Sequence, residues 1–156
     1  MPQPLRADVL YNAVLSALDL NDAGGKNPRR PNGGGGGPRA NRGPRGNFCD
    51  IFGYDPSDQR DSIAGSIPQV LAMMNSNQIA SAVSAQRSGL MGHLLNDIHD
   101  DEQLVGEMYL QTLGREPTAD ELAAAHAYID EVGNRTTAVE DYMWALLNSA
   151  EFNHRK

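Results

Sequence analysis

The sequence predicts an all-α fold, a compact bundle of about six or seven short helices with one long disordered Gly/Pro/Arg-rich insertion. Apolar residues recur at helical spacing on both sides of a Gly/Pro-rich break. Capping signals, a Ser or Thr three residues ahead of a Glu or Gln, open several of the apolar runs. No stretch alternates convincingly with the period of two that a half-buried strand needs. At 156 residues the chain suits one small domain. The expected organisation is an N-terminal helix within 1–20 packing on the main body, a disordered basic loop at 21–47 and a helical body at 48–156.

The first helix is expected over Arg6–Leu20, with Val9, Leu10, Ala13, Val14, Ala17 and Leu18 on its apolar face. A lone helix of that length is marginal in water, so it must pack on the residues beyond the loop. Within the loop, residues 24–46 hold 9 of the 16 glycines, 4 of the 9 prolines and 6 basic residues, with no aromatic, branched aliphatic or acid. Such a composition cannot bury enough apolar surface to offset its ordering entropy. The rest of the chain is left with 7 basic and 20 acidic residues, a balance of −13. The insertion is tolerable in one domain because loop-closure cost grows only logarithmically with length.

After the loop, Ser66-Ile67-Pro68-Gln69 has capping-box spacing with Pro in the first turn, followed by Val70, Leu71, Met73 and Met74. A short helix comes next over Gln78–Ser84, with Ile79 and Val83 at i, i+4, and then a less regular turn near Leu90–Asn96. Asp100 is the expected N-cap of the next helix, whose stripe is Leu104, Val105, Met108, Tyr109 and Thr112 widened by Leu110 and Leu113, with Arg115-Glu116-Pro117 ending it. Thr118-Ala119-Asp120-Glu121 opens a helix with Leu122, Ala125, His126, Ile129 and Val132 inward, closed by Gly133. Thr137-Ala138-Val139-Glu140 starts the last, with Val139, Tyr142, Met143, Leu146 and Leu147 inward.

Chemistry-bearing patterns are sparse. A single cysteine, Cys49, excludes an internal disulfide framework and a thiolate zinc cluster, and it has no basic neighbour to activate it. His93 and His99 lie six apart, off one helix face, and His154 lies at a frayed end. Asp97, Asp100, Asp101 and Glu102 lack an EF-hand pattern and read as the solvated start of a helix. Gly33–Gly37 lacks the Gly-Lys-Ser/Thr of a phosphate loop, and no Gly-x-Ser-x-Gly elbow occurs. No catalytic, cofactor-binding or metal-ligating residue is therefore expected in the chain. The candidates for a ligand or partner contact are Asp55, Arg60 and Asp61, the most polar of the blocks that carry a family resemblance, and Arg115. The structural alternative is an Asx turn at Asp55-Pro56 with an Arg60–acid pair, and Arg115 bonding helix-end carbonyls or a neighbouring acid.

The opening residues lack the apolar core of a signal peptide, and no run approaches the ~20 apolar residues of a membrane span. The Arg/Gly loop offers charge to single-stranded nucleic acid but no aromatic to stack on a base, and the acidic body repels phosphate.

Phe48, Phe52-Gly53-Tyr54-Asp55-Pro56-Ser57, Arg60-Asp61 and Gly65-Ser66-Ile67-Pro68-Gln69 with Met74-Asn75 form an ordered series of blocks. Tyr109-Leu110, Leu113-Gly114-Arg115-Glu116-Pro117-Thr118, Glu121-Leu122, Trp144-Ala145-Leu146-Leu147-Asn148-Ser149 and Glu151-Phe152 continue it. Together they resemble the C-terminal end of a planctomycete domain of unknown function, numbered fifteen fifty-three, over about residues 5–20 and 48–156. The resemblance implies a segment that ends a much larger exported or periplasmic protein, often behind a cytochrome c-like domain. Any haem would sit in that upstream domain, and Met1 would be internal to a longer frame. Many relatives carry a Cys-rich stretch where Asp58–Ile63 has none, so no metal or disulfide role carries over.

The expected function is a non-enzymatic structural or interaction segment, partnered by the upstream domain or by self-association through apolar helix faces. The alternatives are an accessory wall of an enzyme acting on polysaccharide or in haem-linked redox chemistry, with the Asp55–Asp61 loop at its site, and a nucleic-acid contact by the basic loop.

Overall fold

The computed structural model describes residues 3–20, 44–51, 76–85 and 89–155. The described part is all-α. Its helices are α1 (Ala7–Ala17), α2 (Pro44–Ile51), α3 (Asn77–Val83), α4 (Leu90–Asp97), α5 (Asp101–Leu113), α6 (Ala119–Val132), α7 (Arg135–Leu147) and α8 (Ala150–Asn153). A two-residue antiparallel pair, β1 (Gln3–Pro4) with β2 (His154–Arg155), joins the two ends, and the Leu5 amide adds a 2.9 Å bond to the Asn153 carbonyl. The expected basic loop, up to residue 43, and the expected helix at Pro68 lie outside the described residues.

Capping residues set most helix starts. Ser76, Asp100, Thr118, Asn134 and Ser149 each accept a backbone N–H from the first turn of the helix they precede. Thr118 and Glu121 complete a reciprocal capping box. The ends of α5 and α6 fall at Gly114 and Gly133, whose φ of +67° and +66° suits a residue without Cβ. The last long helix begins at Arg135 rather than at Thr137, because Asn134 caps it and the Thr137 amide is the group it caps, at 3.1 Å.

α5 is the hub, packing on α1, α6, α7 and α8, with α6 also against α7 and α3 against α4. Leu104, Met108, Met91, Met143 and Leu147 are sealed from solvent at the centre. The apolar face of α1 is turned from the expected one. Val9 is 43% exposed, whereas Tyr11 and Leu15 are buried with Leu10, Val14 and Leu18. α2 explains the turn: the Phe48 ring packs 5.2 Å from Tyr11, and the Arg45 guanidinium lies 5.8 Å over the same ring. This helix is not expected from the sequence, and it takes in the last residues of the expected loop. Pro44 stands at its first position, where the missing N–H costs no helical bond.

Candidate functional site

Of the four candidate contact residues, Asp55, Arg60 and Asp61 lie outside the described residues. Arg115 is described, and its surroundings are built by three elements. Gly114 reverses the chain after α5, which turns Arg115 back across the end of that helix. Its guanidinium lies 5.2 Å from the centre of the Tyr109 ring. Nη1 and Nη2 donate to Glu121 Oε2 and Oε1 at 2.9 and 2.8 Å. Nε and Nη2 donate to Glu151 Oε1 and Oε2 at 2.9 and 2.7 Å, and Nη1 also donates to the Glu116 carbonyl at 3.0 Å. These bonds engage all five N–H groups of the side chain.

The electrostatics derive from that geometry. The Arg115 hydrogen bonds, then the Thr118 amide, hold the Glu121 carboxyl down at about 2. The hydrogen bonds that Arg115 donates to Glu121 and Glu151 raise its affinity for its proton. Burial, reinforced by the 3.2 Å contact with the Tyr142 hydroxyl, pushes the Tyr109 phenol upward. Two carboxylates against one guanidinium leave a net negative cluster, which suits no anionic ligand. Its mechanical effect is clear: the clamp ties the 114–118 turn to the start of α6 and to α8.

The acidic run near residue 100 is divided among helix-start tasks. Asp100 caps α5, and Asp101 pairs with Arg135 Nε at 2.6 Å while Arg135 Nη2 donates to the Ile98 carbonyl at 2.9 Å. His93 and His99 are exposed, and His126 is half-buried on α6. Among the described residues no group of three or more His, Cys, Asp or Glu side chains is placed to hold a metal ion.

Beside the clamp, a groove of about 400 Å³ opens between α5 and the 116–122 segment. Its apolar lining is Ile98, Leu110, Pro117 and Leu122, and Leu110 is 45% exposed. Glu102, Glu107 and Glu116 also line it. Glu102, Gly106 and Leu110 succeed one another at i+4 along α5, so one stripe of that helix forms a wall. Among the described residues a Cβ placed on Gly106 would meet nothing within 4 Å. Sequence alone assigns Leu110 to the edge of the core stripe and so misses this wall. Helical spacing holds Gly106 and Leu110 on one line, but only the position of the turn after α5 shows that no described residue covers it.

The class defined by this geometry is an all-α body with an ionic clamp at its C-terminal end and an open acidic groove. No family model, no curated protein and no solved structure matches the chain.

Proposed function

We propose that the chain is a non-enzymatic helical interaction module that forms the C-terminal end of a larger exported protein of planctomycete type. One observation carries the interaction reading: an open groove with apolar walls stands on a body whose most conspicuous charged residue, Arg115, is fully engaged by its own chain. Leu110 and Val9 are the exposed large apolar side chains among the described residues, and Leu110 lies in that groove. The setting in a larger protein rests on the ordered sequence blocks from Phe48 to Phe152. In that setting haem belongs to an upstream domain and not to this chain.

The test is the size of the product in its source cells. An antibody against residues 100–156 is used on a denaturing gel, and the gel is then stained for haem. A band far above 16.9 kDa is the expected result, and coincident haem places the module behind a cytochrome-like domain. A band at 16.9 kDa overturns the larger-protein setting.

A further inference from the structure

We infer that the groove between α5 and the 116–122 segment is a docking site for a basic amphipathic helix of a partner protein. The inference rests on the interaction reading above and names the chemistry of the partner. Three features define the occupant. The apolar patch of Ile98, Leu110, Pro117 and Leu122 calls for an apolar side chain that reaches inward. Glu102, Glu107 and Glu116 line the same groove and call for Lys or Arg beside the inserted residue. Gly106 exposes bare backbone in the middle of a helix, where alanine would favour the helix by ~1 kcal/mol. Among the described residues no contact requires a glycine there, and its missing side chain lets another helix approach closely.

Other occupants fit less well. A second copy would bring the three glutamates of one groove toward those of the other. The chain's own basic stretch, 24–46, carries no aromatic and no branched aliphatic residue to fill the apolar wall. An anionic membrane would meet the glutamates with like charge.

The experiment uses the full chain and a fluorescent synthetic helix of leucine and lysine at amphipathic spacing, monitored by anisotropy. Saturable binding that weakens as salt rises is expected. Gly106→Leu fills the groove from open space and should weaken binding by about tenfold or more without lowering Tm. The triple change Glu102→Gln, Glu107→Gln and Glu116→Gln should weaken it as much. A control of equal charge change elsewhere, Asp19→Asn, Asp130→Asn and Glu131→Gln, should stay within about twofold. An equal loss in the control would overturn the site in favour of general charge attraction. A leucine and glutamine helix that binds as tightly would overturn the basic partner and leave the interaction reading standing. If neither helix binds, both fall. A dimer in sedimentation that Gly106→Leu dissolves would assign the groove to a second copy and overturn the proposal. Should Gly106→Leu lower Tm, the triple glutamine variant decides the matter alone.

Discussion

Arg115 shows how much a single side chain can organise when all its donors are used. Its planar fork matches two carboxylates at once, which a lysine ammonium cannot do, so Arg115→Lys should recover little of what Arg115→Ala loses. The pairs are about one-third exposed, so a loss of about 1–2 kcal/mol in urea unfolding is the expected scale for Arg115→Ala. The pH dependence has a definite sign. Glu121 titrates near 2 in the folded chain against an ordinary 4.5, so its contribution is complete above 4.5 and is lost as pH falls toward 2. The gap in stability between the native chain and Arg115→Ala should therefore be widest near neutral pH and close at the acid end. Unfolding curves that stay equally far apart at pH 2.5 would refute the clamp. A second residue, Gly89, is a case of close approach. A Cβ there would lie 3.0 Å from the carbonyl oxygens of Ser81 and Ala82, which are backbone and cannot swing aside. Gly89→Ala should cost about 1–3 kcal/mol by thermal unfolding, from this crowding and because Gly89 is the N-cap of α4, where alanine is disfavoured.

At the scale of elements, starts are more legible in the sequence than faces. Asp100 and Thr118 are readable as caps because the side chain and the amide it bonds lie three residues apart, a local relation. Thr118→Ala should lower stability by ~1 kcal/mol, measured as a shift in urea midpoint, and no shift would mean that the capping box is idle. Asn134 is harder to see because Thr137 offers an equally plausible cap two residues into the true helix. The direction of α1 is less legible still. Val9 and Tyr11 are rival apolar positions on that helix, and the choice falls to Phe48, a residue far along the sequence. The same limit applies to the clamp. The Arg115–Glu121 pair lies within one turn of the capping box, but Glu151 is 36 residues from Arg115, and no local pattern brings them together. Asp55, Arg60 and Asp61 stand out as the most polar of the sequence blocks that carry the family resemblance, and they lie outside the described residues.

At the scale of the molecule, α5 holds the body together, with Leu104 and Met108 sealed between α1 on one side and the later helices on the other. Met108→Ala should be among the most damaging changes, with a loss of about 2–5 kcal/mol and a broadened thermal transition, since a close-packed surround relaxes only partly into the void. The pairing of Gln3–Pro4 with His154–Arg155 has a different consequence. It makes the order in which the helices are strung along the backbone separable from the shape they form. A gene rearranged so that residue 155 runs through a short linker into residue 3, with new ends cut within Gly33–Gly37, keeps every helix next to the neighbours it has now. Such a permuted protein should fold with an unchanged far-ultraviolet spectrum. The cost is that α1 and α2, which pack on each other and are neighbours in the native order, become remote along the permuted chain, so their meeting should become the slow step of its folding.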